Sequence, residues 1–498
     1  MSRLDQEAQM QPSPSFLSTR RGRLTLALVC LAGFLDFIDT TIVNVALPSI
    51  RHGLGFSVAN LQWVISGYLL TYGGLMLLGG RAADLLGRRR LLIAGTSLFA
   101  FSSLAGGLAN SGAVMIGARL AQGLGAAMMT PAALSILTTS FTEDGDRIKA
   151  LGIWSATVPL ASALGVTLGG VLSQGPGWRA VFFVNVPLAA AVVIGALRLL
   201  EDDRQRARGR EFDLPGAVLG TGGLLVLVYA LVNASQVGWG SARTIAELAA
   251  SAVLLVAFVV TEQRQRNPLV PFSIFRIEGL AAADATQVIA QAGFLSMFFF
   301  ITLYMQNVLG YSPIAAGLAY LPVTVGVGVA AGISTGLVGR IGTRPIIATG
   351  ALIGAAGVYL LSPIPVHGSY FTDLLPGLVV MALGLGAVMV GVQNAANAGV
   401  PAEKAGLAAA LITTSSTVGA ALGLAILTAI ATSRTSHLIA AHATGPLALT
   451  GGFHTALIAC SAFLLAAAVI AARATNTRTS AAVSDESDAL RVLTPEAT

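Results

Sequence analysis

Apolar stretches of about 20 residues recur along the whole sequence, separated by short polar segments. A helix of about this length crosses the hydrocarbon core of a bilayer. Of the 498 residues, 55% are hydrophobic and 10% are charged, whereas a soluble domain carries roughly 25% charged residues. The pattern predicts an all-α polytopic membrane protein. It excludes a soluble enzyme, a disordered chain and a nucleic-acid-binding protein, and the unbroken runs argue against a β-barrel, whose strands alternate.

Fourteen transmembrane helices are predicted, and helix 8 has the weakest apolar signal. The first helix is too long for the apolar core of a signal peptide. The predicted helices cover residues 24–47, 60–80, 91–109, 113–137, 149–172, 180–200, 214–233, 244–261, 282–306, 315–338, 345–362, 374–396, 406–431 and 452–472.

The basic residues orient these helices, because cytoplasmic loops of membrane proteins are enriched in lysine and arginine. With both termini in the cytoplasm, 24 of the 29 basic residues lie inside and Arg119 falls within helix 4. The four outside are Arg51, Arg179, Arg243 and Arg434. A shift by one helix would destroy this asymmetry, so an even number of spans with both ends inside is predicted.

Two similar segments indicate an internal repeat. GGRAADLLGRRR (79–90) and GRIGTRP (339–345) both pair glycine with arginine at the inner end of a long apolar helix. Repeated halves with a binding site between them are typical of secondary transporters, and helices 7 and 8 then form an insertion. The predicted domains are a disordered cytoplasmic N-terminal tail (1–23), an N-terminal six-helix bundle (24–200), a charged linker with two inserted helices (201–276), a C-terminal six-helix bundle (277–472) and a disordered cytoplasmic C-terminal tail (473–498).

Helix 1 carries two acids, Asp36 and Asp39, on one face. At 1.5 Å per residue, Asp39 lies about 22 Å above the inner end of helix 1, and Arg119 lies about 9 Å below the outer end of helix 4. These depths are similar in a core of about 30 Å. Charged groups within a bilayer are usually functional, and an acid that is removed from water but lies beside an arginine can load and release a proton. The alternative is a static ion pair that joins two helices.

Helices 5 and 9 carry further candidate positions. Asp284, Gln287 and Gln291 share one side of helix 9, which fits either a cavity lining or hydrogen bonding between helices. Gly165, Gly169 and Gly170 of helix 5 indicate close helix packing, either static or at a contact that rocks between bundles. We expect static packing for Gly384, Gly386, Gly419 and Gly423 of helices 12 and 13.

The sequence gives no sign of enzymatic chemistry. It contains no GxxxxGK[ST], HExxH or CxxC motif, and its two cysteines, Cys30 and Cys460, lie in separate apolar runs. Neither a nucleotide-driven pump nor a metal hydrolase is indicated. No histidine lies deep in a span, so carboxylates would have to carry any proton relay. We expect no enzymatic activity, no metal and no cofactor.

Six segments together resemble one known family. They are DTTIVNVALP (39–48), GRAADLLGRRR (80–90), RLAQGLGAA (119–127), WRAVFFVNVPL (178–188), NPLVPFSIFR (267–276) and LYMQNVLGYSPIAAGLAYLP (303–322). Their order and spacing resemble the major facilitator superfamily, specifically its fourteen-helix drug:proton antiporter family of multidrug and antibiotic exporters, over about residues 24–472. Val166 departs from the resemblance, since it replaces the proline of the helix-5 antiporter motif in GVTLGG (165–170). Ala82 and Leu85 depart from the loop motif.

The resemblance implies a proton-coupled exporter of an antibiotic, antiseptic or other amphiphilic small molecule, working by alternating access. It would be a multi-pass protein of the cell membrane that functions as a monomer and is driven by the proton gradient. Asp39, Asp36 and Arg119 would couple protons. The substrate site would be lined by Asn44, Tyr68, Gln287, Gln291 and Phe298.

The resemblance also implies a cytoplasmic gate. Its residues would be Gly80, Asp84, Gly87, Arg88 and Arg89, with Asp84 and the arginines latching the inner side against helix 11. The alternative is a loop that only fixes topology. Two other functions stay open: a proton-coupled importer or facilitator on the same fold, and a non-transporting membrane sensor, against which the short loops argue.

Overall fold

All regular secondary structure in the described part of the chain is helical. The computed structural model describes residues 16–141, 144–201, 213–265, 268, 270–277, 279–398, 400 and 405–477, with only the backbone described at some helix positions. The two predicted tails therefore lie mostly outside the described residues. α1 begins at Arg20, within the predicted N-terminal tail, and the Thr19 side chain caps it by accepting a hydrogen bond from the amide of Gly22.

Fourteen long helices follow the predicted order. They are α1 (Arg20–Leu54), α2 (Trp63–Leu86), α3 (Arg88–Gly107), α4 (Gly112–Ser140), α5 (Asp144–Gln174), α6 (Asn185–Leu199), α7 (Leu214–Val237), α8 (Ala242–Arg264), α9 (Leu280–Asn307), α10 (Leu321–Ile341), α11 (Thr343–Leu360), α12 (Leu375–Asn397), α13 (Ala405–Ala440) and α14 (Gly445–Arg473). Shorter helical segments lie at Phe16–Ser18, Val58–Leu61, Ala180–Phe183, Phe272–Arg276, Pro313–Leu318 and Tyr370–Leu374.

Most of these helices have the length and composition of membrane spans. Within the described residues, 12 helices are long and apolar enough to cross a membrane. The other two long helices, α2 and α5, have 24 and 31 residues, and each contains side chains outside the described set. The multi-pass prediction is confirmed, whereas the count of fourteen spans and the orientation of the termini stay predictions.

Several predicted helix ends were wrong. α1 ends at Leu54 and α13 at Ala440, beyond the predicted ends at residues 47 and 431. The predictions stopped where the apolar run stopped. Backbone hydrogen bonding instead continues through polar residues such as Arg51 and Arg434, until Gly55, with a φ of 68°, terminates α1 in the left-handed conformation.

The long helices pack as two bundles with a two-helix insertion. In the N-terminal bundle, α1 packs against α4, α5 and α6, and α4 also packs against α2 and α3. In the C-terminal bundle, α9 packs against α13 and α14, and α12 against α10 and α11. The inserted helices α7 and α8 pack against each other, while α7 also contacts α2 and α13. The insertion therefore lies beside both bundles.

Close contacts join the two bundles near the C-terminal ends of α1, α5 and α9. The Gln306 amide donates to the backbone carbonyl of Val45 at 2.9 Å. In the predicted orientation this is the outer side of the membrane. We call the following contacts the outer seam: Val45–Gln306, Val166–Gly317 and Gly170–Ile314.

Candidate functional site

The two acids of α1 and the arginine of α4 meet in the interior of the N-terminal bundle. Arg119 Nη1 lies 2.6 Å from Asp39 Oδ2. Their side chains are 1% and 0% exposed, respectively, so the pair is removed from solvent. The pairing is the one expected from equal depth along two rigid helices.

Further side chains complete the hydrogen bonds of this ion pair. The Gln122 amide donates to Asp39 Oδ1 at 2.8 Å, and its carbonyl accepts from Arg119 Nη1 at 2.7 Å. The Asn185 amide also donates to Asp39 Oδ1, at 2.8 Å, and to the hydroxyl of Ser103. Buried ion pairs are favourable only when such additional bonds satisfy the remaining donors and acceptors. We call these five side chains the Asp39 network.

Asp36 has a separate set of partners. The Tyr68 hydroxyl donates to Asp36 Oδ1, and the Thr130 hydroxyl donates to Oδ2 at 3.2 Å. The guanidinium of Arg119 lies 4.4 Å from the centre of the Tyr68 ring, a cation–π contact. Tyr68, predicted to line a substrate site, is fully buried and links Asp36 to the Asp39 network.

Arg119 has further partners besides Asp39. It donates to the Gln122 carbonyl at 2.7 Å and, through Nε at 2.7 Å, to the backbone carbonyl of Val64. These bonds hold the guanidinium in the interior of the bundle, where the Asp39 carboxylate lies beside it.

The other predicted substrate residues lie on both bundles. Asn44 is half-buried and its Oδ1 atom has no hydrogen-bond partner among the described residues. On α9, Gln287 is buried and Gln291 is half-buried. Phe298, also half-buried, packs against the ring of Tyr320 at 5.4 Å. The structure does not bring Tyr68 into this set, and the role of the others as a substrate lining stays a prediction.

The three helix-5 glycines divide into two kinds. A Cβ added to Gly165 would fall 1.9 Å from the Thr41 hydroxyl, and one on Gly169 would fall 2.9 Å from the Ile42 carbonyl, both on α1. One on Gly170 would fall 2.6 Å from Cα of Ile314, in the other bundle. Gly165 and Gly169 therefore pack within one bundle, whereas Gly170 lies at the outer seam. Gly384, Gly386, Gly419 and Gly423 contact helices of their own bundle.

The predicted gate segment joins α2 to α3. Gly87 has a φ of 93°, a conformation that favours glycine. Arg89 donates to the carbonyls of Ala196 and Leu197 at the end of α6, which is favourable because helix C-termini attract cations. The Asp84 side chain lies outside the described residues. A Cβ added to Gly80 would lie 3.8 Å from Cβ of Pro131, an ordinary van der Waals contact. Arg88 also has an interaction partner. The latch against helix 11 stays a prediction.

Sequence reasoning did not assign Gln122, Asn185, Ser103 or Thr130 to the site. Gln122 had a usable signal, since it follows Arg119 by one helical turn. Asn185 lies within the WRAVFFVNVPL segment that carried the family resemblance. The sequence carried no usable signal for Ser103 and Thr130, because serine and threonine are common in membrane helices and usually hydrogen-bond to the backbone of their own helix.

Two six-helix bundles, the first of which holds a buried acid–arginine network in its interior, define a membrane protein of the secondary-transporter class. The family comparison agrees: a model of the Major Facilitator Superfamily matches residues 29–424. The chain belongs to the Major Facilitator Superfamily. It is a multi-pass protein of the cell membrane.

Curated relatives match nearly the whole chain. The puromycin resistance protein pur8 of Streptomyces alboniger is 38% identical over 464 residues, which are 92% of each chain. The cephamycin export protein CmcT of Amycolatopsis lactamdurans is 39% identical over 455 residues, 91% of this chain and 92% of that protein. The lincomycin resistance protein of Streptomyces lincolnensis is 34% identical over 82% of this chain and 84% of its own length.

Solved structures share the fold at low sequence identity. A bacterial homologue of the human lysosomal transporter Spinster, in an inward-facing and unoccupied conformation, has a TM-score of 0.65 and 17% identity, covering 91% of this chain and 97% of that chain. A peptide transporter POT in complex with sulfate also has a TM-score of 0.65, with 16% identity over 95% of this chain and 99% of that chain.

Proposed function

We propose that the protein is a proton-coupled efflux transporter that exports an antibiotic, antiseptic or other amphiphilic small molecule by alternating access. Export is supported by relatives at 34–39% identity that are named for antibiotic or multidrug resistance or for export. A transporter role also fits the fold, and we propose that the protein catalyses no chemical reaction, functions as a monomer and needs no cofactor beyond the proton gradient.

The observation that carries proton coupling is the Asp39 network. A static link between α1 and α4 would be served by apolar packing, which is often at least as stable as a buried ion pair. Here Asp39 and Arg119 are instead given three further polar side chains in the bundle interior. We therefore assign to Asp39 the proton that enters from outside. Asp36, joined to the network through Tyr68, is the second candidate carrier.

Alternating access would convert this protonation into substrate movement. Protonation of Asp39 changes its bonds to α4 and α6, while the outer seam holds the two bundles together on one side of the membrane. The substrate would bind between the bundles, against Asn44 of α1 and Gln287, Gln291 and Phe298 of α9. The Gly80–Arg90 segment would close the inner side when the outer seam opens.

Substrate-induced proton movement tests the proposal. Everted vesicles containing the protein are acidified by respiration, and a panel of antibiotics and cationic dyes is added. We expect at least one compound to discharge the gradient with the wild type and not with Asp39→Asn. Asp373→Asn is the matched control, because Asp373 accepts a hydrogen bond from the backbone amide of Ser369 at the start of a short helix outside the network. Equal discharge by Asp39→Asn and the wild type would contradict the assignment of the proton to Asp39.

A further inference from the structure

A groove of about 460 Å³ lies between the inserted helices and the C-terminal bundle. One wall is Trp239, in the turn that joins α7 to α8, and the other wall is one face of α13, a helix that α7 contacts directly. Gly238, whose φ is 102°, ends α7 and begins the turn. We call this the α7–α13 groove. Its α13 wall consists of Ala429, Ile430, Ser433, Arg434 and His437.

The α13 wall of the groove changes from apolar to polar along the helix. Its residues follow one another at spacings of three and four, which place them on one face. Ala429 and Ile430 lie toward the middle of the membrane, and Ser433, Arg434 and His437 follow toward the end of the helix. A molecule lying in the groove therefore meets apolar side chains at one end, and hydrogen-bond donors with a positive charge at the other.

The polar end of the groove lies at the depth of the lipid headgroups. The apolar run of α13 ends near residue 431, and Arg434 lies about 5 Å beyond that point, at 1.5 Å per residue. The headgroup layer on each side of the hydrocarbon core is about 5–8 Å thick. Trp239 follows closely after the end of α7 at Val237, and tryptophan is enriched at this boundary. In the predicted orientation this is the outer side of the membrane.

Arg434 differs from the other three arginines predicted to lie outside. Each of those donates to an acceptor of the protein itself: Arg51 to the carbonyl of Phe56, Arg179 to that of Ala109 and Arg243 to the carboxylate of Glu247. The Arg434 side chain has no hydrogen bond or ion pair among the described residues, and neither do those of Trp239, Ser433 and His437. The donors of the groove are therefore available to a ligand that supplies acceptors and a negative charge.

We propose that the α7–α13 groove binds a membrane phospholipid. Arg434 holds the phosphate, with Ser433 and His437 as further donors, and an acyl chain lies against Ala429 and Ile430. A phosphate offers the planar guanidinium both acceptors and opposite charge, and the attached chain continues along the apolar end of the groove. The bound lipid then joins the inserted helices to the C-terminal bundle at the membrane surface. This lipid site is distinct from the proposed sites for the substrate and the proton.

Photo-cross-linking tests this site in the purified full-length protein. Trp239→p-benzoylphenylalanine places a photoreactive aromatic group in the groove, and phosphatidylglycerol is titrated into the delipidated protein in detergent. After irradiation, intact-protein mass spectrometry measures the covalent lipid adduct. We expect a phosphatidylglycerol adduct in this parent. Arg434→Gln should raise the half-saturating lipid concentration about 10-fold to 100-fold, the range for losing a hydrogen bond to a charged group.

Two variants separate phosphate recognition from other effects of the substitution. Arg243→Gln is the matched control, because it removes another outer arginine that does not line the groove, and it should bind the lipid like the parent. Arg434→Lys keeps the charge and should recover part of the affinity. Absence of an adduct in the parent, or an unchanged half-saturating concentration in Arg434→Gln, would overturn the proposal.

Two further ligands identify which part of the lipid is recognised. Diacylglycerol with the same acyl chains lacks the phosphate, and it should give at least about 10-fold less adduct at equal concentration. Inorganic phosphate lacks the chains, and an equal concentration of it should leave the phosphatidylglycerol adduct in place. Equal adducts from diacylglycerol would show that the groove recognises only the chains. Displacement by inorganic phosphate would assign the groove to a free anion, and either result would overturn the lipid assignment.

Discussion

Gly170→Ala places one methyl group directly in the outer seam. The new Cβ would lie 2.6 Å from Cα and 3.1 Å from the amide nitrogen of Ile314, and 2.9 Å from the carbonyl oxygen of Pro313. Carbon atoms in favourable contact are about 3.5–4.0 Å apart. All three obstructing atoms belong to the backbone, so no side-chain rotation relieves the contact. The two bundles must therefore separate by about 1 Å at this point.

The size of the effect follows from the cost of overpacking. Forcing an extra methyl group into a well-packed contact costs about 1–3 kcal/mol. Gly170 contacts Ile314 across the seam, so this cost applies to the conformation in which the seam is closed. The equilibrium should shift toward the open seam by about 5-fold to 150-fold, since 1.4 kcal/mol corresponds to a factor of ten.

A single engineered cysteine reports this shift. The native Cys30 and Cys460 are both buried and are replaced by alanine, and Val166→Cys places a thiol in the seam beside Gly317. Intact cells are labelled with a membrane-impermeant maleimide. The labelling rate of Gly170→Ala should exceed that of the parent by about 5-fold to 150-fold, up to the intrinsic rate of the exposed thiol.

The matched control lies on the same helix. An added Cβ at Gly152 would meet nothing within 4 Å, so Gly152→Ala should label at the parental rate. Equal or slower labelling of Gly170→Ala would refute the reasoning that Gly170 controls closure of the seam. Faster labelling in everted vesicles but not in intact cells would refute the predicted orientation of the termini.

Two further predictions concern the buried polar groups. Gln122→Leu removes one hydrogen bond to Asp39 and one to Arg119. Each contributes about 1.5–3 kcal/mol because the partner is charged, so the thermal unfolding midpoint of the variant in detergent should fall clearly. An unchanged midpoint would show that the network does not depend on this amide. Thr428→Val removes a fully buried hydroxyl without a hydrogen-bond partner among the described residues. The thermal unfolding midpoint of the variant should rise by the equivalent of about 1–3 kcal/mol in the free energy of unfolding. A lower midpoint would reveal a hydrogen bond from the hydroxyl to an internal water.

The pairing of Asp39 with Arg119 could be predicted because helices have a fixed rise. Counting residues from each end of two membrane-spanning helices gives depth, and equal depth is enough to nominate partners. The same counting does not give the rotation of each helix about its axis. The contribution of Asn185 depends on that rotation for α6, which is set by the packing of the whole bundle.

The glycine pattern illustrates the same limit. Gly165, Gly169 and Gly170 were predicted as one packing group, yet Gly170 alone of the three faces the other bundle. Adjacent residues on a helix point about 100° apart, so Gly169 and Gly170 contact different helices.

The Asp39 network holds one carboxylate beside the single guanidinium of Arg119. If Asp39 carries the entering proton, the net charge moved in each cycle depends on the charge of the exported substrate. A cation leaving for each entering proton transfers no net charge, so the pH gradient alone would drive it. Export of a neutral substrate moves one positive charge into the cell for each proton. The membrane potential then adds about 2.3 kcal/mol per 100 mV to the driving force. Collapsing the potential should slow export of neutral compounds and leave export of monovalent cations unaffected.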